Sequence, residues 1–371
     1  MNKTEQDILY LVSCVLHQTK PNVEGMDFEK ICKMALSHTL SSMVCMALES
    51  AGIKVDVLMD QKNKAIRKVM LLDSEREKIF SLFDKAGIWY LPLKGIILKE
   101  MYPVYGMRQM ADNDILFDST YRKEVKDIFL SLGYEIESYN KMNHDVYLKA
   151  PIYNYEMHVS LFDKTIPGFL EYYTRLVKKC ADQGLNRHMD VNDAYVYIIA
   201  HAYKHFIFSG TGIRTLIDIY VYNESCSLDI NYIHEQCKIL GIQDYEKEAR
   251  EMAYKLFDVP TNDFSNLSKE ELEYVEYYFT SGTYGTAKQR LKNEIHKLEL
   301  EGSKHAKAKY VFRRLFPEAS WFKNHSKFLE TYPIFIPFYA VFRIITKVFT
   351  SWKKWTSEIK NILFPELFMK M

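Results

Sequence analysis

Apolar residues recur at intervals of three and four from Thr4 to about Gly87, as in Ile8, Leu11, Val12, Val15 and Leu16, and again in Ile31, Met34 and Ala35. That spacing predicts an all-helical opening, closed by a long helix from about Val57 to Ala86. After Lys85-Ala86-Gly87 the pattern changes. Ile88 to Leu93 is rich in strand formers, Gly95 to Tyr102 reads as helix, and Asn113 to Phe117 reads as a second strand. A helix from about Tyr121 to Leu132 ends at Gly133, and strand signals follow at Tyr134 to Ser138, His144 to Lys149 and Tyr153 to Phe162. This order predicts a small α/β unit.

From Ile166 to about Leu300 the period is helical again. Asn192-Asp193 reads as the N-cap of a helix over Ala194 to Phe208, Gly212 opens the next helix, and Ser281 to Thr286 is a loop. From Phe338 onward Val341, Phe342, Ile345, Val348, Phe349, Trp352, Trp355, Ile359, Ile362 and Leu363 keep one face, against Arg343, Lys347, Lys353, Lys354 and Lys360 on the other. That is a basic amphipathic helix. The fold class expected is α+β: a small mixed-sheet core over residues 88–165, helical regions at 1–87 and 166–300, and a basic helical tail at 301–371.

Composition adds one feature to this outline. The net charge of +1 gives no global argument for binding nucleic acid, and no stable nucleic-acid partner is expected. The balance is uneven, however: residues 301–371 hold 13 Lys/Arg against 5 Asp/Glu, which makes the tail a separate electrostatic object. It reads as a peripheral membrane contact through residues 338–364, as a helix packed on the preceding region, or as a basic face for RNA. The longest apolar stretch, around Tyr332 to Phe342, contains Pro333 and Pro337 and stops at Arg343, so a spanning helix is not expected. The six cysteines lack metal-finger spacing and read as reduced thiols of a cytoplasmic protein, which the tail would hold at the inner membrane face. The N-terminus lacks the order of a signal peptide.

The chemistry concentrates in the α/β unit. Alternate side chains of a strand share a face, so Asp112 and Asp114 point the same way, about 7 Å apart. Paired carboxylates attract hard divalent cations, Mg²⁺ or Mn²⁺, and two such ions can activate a hydroxyl and stabilise leaving pyrophosphate. Glu156 lies in the alternating run Asn154, Glu156, His158, Ser160 and would be the third carboxylate if that strand lay beside the first. Lys94-Gly95 stands at a strand-to-helix turn, where glycine admits a ligand and Lys94 can charge-match a triphosphate; Arg108 can do the same. His158 reads as a structural residue, or as one that assists the acceptor or braces Glu156. His201 and His205 stand four apart on a helix, a zinc-compatible spacing without a third ligand, and read more readily as a face toward a nucleotide cleft. Arg214 and Asp218 read as a structural pair or as substrate contacts.

Leu93-Lys94-Gly95, Tyr102-Pro103, Arg108, Asp112-Asn113-Asp114 and Glu156-Met157-His158 together resemble the polymerase-β-type nucleotidyltransferase superfamily. More closely, they resemble a bacterial nucleotidyltransferase-like family often associated with polysaccharide-biosynthesis loci. His201, Gly212-Ile213-Arg214, Asp218, Leu315-Phe316-Pro317 and Tyr332-Pro333 are also similar to that family. The resemblance implies transfer of a nucleoside monophosphate from an NTP, such as ATP, to an acceptor hydroxyl on a sugar, protein or RNA. Asp112, Asp114 and Glu156 match the metal ligands, and Lys94, Gly95, Arg108, His158, His201 and Arg214 would surround the nucleotide. Two departures stand out: Lys94-Gly95 replaces the superfamily's usual Gly-Ser or Gly-Gly turn, and the gap from Gly95 to Asp112 is longer than in the simplest members. The alternatives are a toxin or defence enzyme that modifies tRNA or protein, and a catalytically silent nucleotide-binding protein of the same fold.

Overall fold

The alternating stretches form five strands, β1 (Tyr90–Pro92), β2 (Asn113–Phe117), β3 (Glu135–Ser138), β4 (His144–Lys149) and β5 (Tyr153–His158). The structure, a computed structural model, describes all residues except 181–183, 284, 301–302, 304, 318–321, 323–325 and 351–371. The sheet order is β1-β2-β5-β4-β3. β2 and β5 run parallel, with Asp114 opposite Glu156, and the other neighbouring strands pair antiparallel. A parallel pair needs a crossover. Helix α6 (Arg122–Ser131) and the β3–β4 hairpin supply it. The outer edge of β1 is covered by Leu185 to Arg187, whose backbone bonds both the N–H and the C=O of Tyr90.

The two faces of the sheet differ. Ile115, Phe117, Tyr147, Tyr155 and Met157 pack against α6 and against α4 (Asp56–Ala86), whose Val69, Leu72, Ile79 and Phe83 fall at helical spacing. Gly87 ends α4 at φ 69°, the left-handed position that suits glycine. Leu91, Leu93 and Leu116 face the other way. They join a larger core built by α1 (Lys3–Leu16), α2 (Phe28–Ser37), α3 (Ser41–Ser50), α7 (Phe169–Lys179), α8 (Val191–Phe208), α9 (Arg214–Ser225), α10 (Ile230–Ile239), α11 (Gln243–Phe257) and α12 (Lys269–Ser281). Mixed sheet and flanking helices make the α+β class expected from the pattern.

The helical regions before and after the sheet share that core. Ser13 on α1, for example, donates to the Phe257 carbonyl at the end of α11. By compactness the chain falls into two units, residues 1–206 with 211–283, and residues 207–210 with 284–371. The boundaries read from the sequence at 87 and 165 therefore follow chain order rather than core. The second unit contains α13 (Ala287–Leu300), α14 (Ala306–Leu315), a short helix Lys327–Thr331 and a helix Ile336–Thr350 around buried Phe322, Leu329 and Ala340. Trp352, Trp355, Ile359, Ile362 and Leu363 of the expected amphipathic face lie outside the described residues.

Three local expectations need correction. The stretch after Gly95 is a single α-helical turn, α5 (Gly95–Leu98), running into a 3₁₀ turn that stops at Met101, two residues before Pro103. β5 ends at His158 because the chain turns at Ser160, whose hydroxyl donates to the Phe162 carbonyl. Helix α8 begins at Val191, not after Asn192-Asp193: the Asp190 carboxylate accepts from the Asn192 N–H and its carbonyl accepts from Ala194.

Phe129 of α6 is fully buried and stacks on Tyr147 with ring centroids 4.3 Å apart. Phe129→Ala is expected to lower the unfolding free energy by about 3–5 kcal/mol, read as a shifted urea midpoint at unchanged slope. A loss under about 1 kcal/mol would contradict this packing.

Candidate active site

The side chains that alternate away from the α4 face are Asp114 on β2 and Glu156 and His158 on β5. Parallel register sets Asp114 beside Glu156 and Leu116 beside His158. Their ligand atoms, two carboxylate oxygens and one imidazole nitrogen, lie within 4.8 Å of one another. His158 Nε2 stands 2.9 Å from Asp114 Oδ1 and 3.8 Å from Glu156 Oε2, and His144 on β4 brings Nε2 to 4.0 Å from the same Glu156 oxygen. Lys94, between β1 and α5, donates from Nζ to Asp114 Oδ1 at 2.6 Å. The Leu93 N–H donates to the Asp114 carbonyl, which fixes the turn against β2.

Asp112 sits one residue before β2, half-buried, and does not join that 4.8 Å group. Its neighbours are cations. Lys68 of α4 donates to the adjacent Ala111 carbonyl at 2.8 Å. Arg214, at the start of α9, donates to Thr39 Oγ1 at 3.0 Å and to the Gln109 carbonyl at 3.4 Å. Among the described residues Arg214 makes no ion pair with a carboxylate.

Burial and mutual repulsion govern the charges. Burial, then the neighbouring Asp114 charge, pushes Glu156 up to about 7. The same two causes raise Asp112, and Lys94, Arg214 and Arg108 oppose them. Burial works against Asp114 as well, but Lys94 and His158 outweigh it and hold the carboxyl well below its usual range. Burial lowers His158 and His205 to about 4, so both are neutral near pH 7. Crowded carboxylates, one of them driven to bind a proton, form a donor set that fits a divalent cation, with Asp114 and Glu156 supplying oxygen and His158 nitrogen.

Arg108 is fully committed inside the protein. Its Nε and Nη2 donate to the two oxygens of Asp218 at 2.7 and 2.9 Å, and Tyr102 donates to the same carboxylate at 2.7 Å. Asp218 therefore pairs with Arg108 and not with Arg214, because its carboxylate is already met bidentately. Gly95 packs closely on the neighbouring side chains: a Cβ there would lie 2.9 Å from both Met110 Sδ and Cε, so the methionine would have to shift to admit one. His201 and His205 bond to each other, Nε2 to Nε2, at 3.3 Å, which requires at least one neutral ring. Burial, then Lys94 and His205, holds His201 well below its ordinary value.

Three residues near the site carried no distinguishing signal in the sequence. Tyr197 of α8 is almost completely buried, its hydroxyl has no hydrogen-bond partner among the described residues, and it feels the charges of Lys94, Asp114 and Glu156. One helical turn before His201, it reads as a core aromatic. Lys68 looks like one surface lysine among many on α4, and His144 gains meaning only through the β4–β5 pairing.

The mixed sheet thus gathers carboxylates on one face, beside a lysine-bearing turn. Residues 24–258 match the family described as uncharacterised nucleotidyltransferase, and the chain belongs to that family. No curated protein and no solved structure matches the chain.

The raised Glu156 fixes the sign of a pH test. The native state holds a proton that the unfolded chain releases between about 4.5 and about 7, so this contribution to stability is full below that window and lost as pH rises through it. His158, lowered from 6.5 to about 4, acts oppositely, so the informative quantity is the stability difference between wild type and Glu156→Gln. Wild type should lose ground to the variant across the window, by at most about 1.4 kcal/mol per pH unit. A difference independent of pH would contradict the raised carboxyl.

Proposed function

We propose that this chain transfers a nucleoside monophosphate from an NTP to an acceptor hydroxyl, with Asp112, Asp114 and Glu156 holding divalent cations. The observation that supports this most is the crowding of Asp114 and Glu156 across adjacent parallel strands, with cationic Lys94 beside them and Arg214 acting on Asp112. Mg²⁺ or Mn²⁺ bound there would supply charge neutralisation for an in-line displacement at the α-phosphate. The chain's own part follows from its side chains. Glu156, or a carboxylate in its position, would also take the acceptor hydroxyl's proton. Lys94 and Arg214 offer positive charge to the triphosphate, Gly95 forms the turn beside it, and Arg108 supports the turn through Asp218. Neutral His158 holds Asp114 in orientation, and His201 faces the nucleotide side from α8.

In cell extract supplied with Mg²⁺ or Mn²⁺ and each labelled NTP in turn, the wild type should transfer label. Asp114→Ala should reduce that transfer about a thousandfold or more. Label on a saccharide is the expected outcome, and label on tRNA or protein would replace that acceptor. If Mg²⁺ and NTP fail to raise the melting temperature, and Asp112→Ala with Asp114→Ala changes nothing, a silent binding protein is the correct description.

The tail belongs to the same proposal as a contact with an anionic membrane surface. Ile334, Phe338, Val341 and Phe342 are each more than half exposed, and the segment they open carries the chain's excess of Lys and Arg. Among the described residues no helix is long and apolar enough to cross a membrane. Full-length protein should co-sediment with anionic vesicles, and a truncation ending at Glu330 should not; equal binding by the two would remove the membrane role.

A further inference from the structure

Asp114 is already bonded to a cation, and that cation belongs to the chain. Lys94 Nζ bonds the same Asp114 oxygen that faces His158 Nε2, at 2.6 and 2.9 Å. Both side chains are shielded, with 18% of Lys94 and 6% of Asp114 accessible. The backbone that aims the lysine is unusual. Lys94 has φ 47° and ψ −114°, a turn conformation that favours glycine and that lysine adopts against its preference.

The turn is nevertheless fixed on every side. Leu93 is bonded to β2, Gly95 is closed in by Met110 and Arg108, and the Lys94 carbonyl accepts the Leu98 N–H. The other cations nearby lean on neutral atoms: Lys68 on a carbonyl, Arg214 on a hydroxyl and a carbonyl. Lys94 thus stands where a metal ion would bind. A divalent ion about 2.1 Å from that oxygen would lie roughly 4 Å from the ammonium, in ground where repulsion is weakly screened.

We propose that Lys94 is a built-in counter-ion that keeps divalent metal off Asp114 until a triphosphate draws the ammonium away, so that metal and nucleotide bind as one unit. This rests on the nucleotidyl-transfer reading above. The phosphate oxygens give the ammonium a new acceptor, and its departure frees the Asp114 oxygen for the ion. Linkage makes the effect reciprocal: nucleotide raises metal affinity by the factor by which metal raises nucleotide affinity.

The test is Mn²⁺ titration of the full chain, followed by electron paramagnetic resonance of the free ion, with and without non-hydrolysable analogues of the four NTPs. Lys94→Gly relaxes the backbone while removing the charge, Lys94→Met removes the charge and keeps a long side chain, and Lys94→Arg keeps the charge. The glycine and methionine variants should bind Mn²⁺ alone about tenfold tighter than wild type, and the nucleotide-induced gain seen in wild type should shrink in both. The arginine variant should behave as wild type. Wild type gaining affinity with nucleotide while both neutral variants bind Mn²⁺ alone no tighter would overturn the role of Lys94 and leave the cation site standing. Wild type taking up no Mn²⁺ with any analogue would remove the cation site itself, and this inference with it.

Discussion

Asp114 must stay ionised where burial disfavours charge, and much of the surrounding architecture answers that demand. Lys94 and His158 approach one of its oxygens from two different elements, β5 presents Glu156 at its side, and Tyr197 and His201 of α8 feel its charge. Each arrangement has a cost elsewhere: a lysine in a glycine-like backbone state, a glutamate with a raised proton affinity, and a tyrosine hydroxyl without a hydrogen-bond partner among the described residues. Strain and unmet polarity occur elsewhere among the described residues too, as at Thr39 and Gln243, but around Asp114 they coincide with opposed buried charges.

Much of this could be read from the chain. The alternation in β2, β4 and β5 and the three/four spacing of α4 are local signals, and strand positions follow from them to within a few residues. Which strands become neighbours is not local. Glu156 comes beside Asp114 through a crossover that returns β5 parallel to β2, and no periodicity encodes that pairing. The same limit explains the arginines. Arg108 looks like a phosphate ligand from its place before Asp112, but Asp218, more than a hundred residues later, takes its Nε and Nη2 donors, and Nη1 leans on Met110. Arg214, read as a partner of Asp218 or a substrate contact, makes no ion pair with Asp218 among the described residues and acts on both Asp218 and Asp112 through its charge.

The positive charges around the carboxylates therefore do two kinds of work. Arg108 is neutralised in place and holds shape, whereas Lys94, Lys68 and Arg214 keep charge within reach of the carboxylate group. The imidazoles are a third kind. Kept neutral by burial, His158, His201 and His205 contribute hydrogen-bonding capacity to the site without adding to its positive potential.

The long connection between α5 and β2 is stapled along its length. Tyr102 and Arg108 meet Asp218, Tyr105 reaches Asp73, the Gly106 carbonyl accepts from Ser42, and the Ala111 carbonyl accepts from Lys68. Gly106, at φ 78°, presses so closely on Ile66 that a side chain there would collide with it. A stretch that sequence length alone would class as a loose insertion thus has little conformational freedom left to lose. Asp112, at its end, is held ready before any ligand arrives, and the entropy of ordering it is met when the protein folds rather than in each reaction cycle.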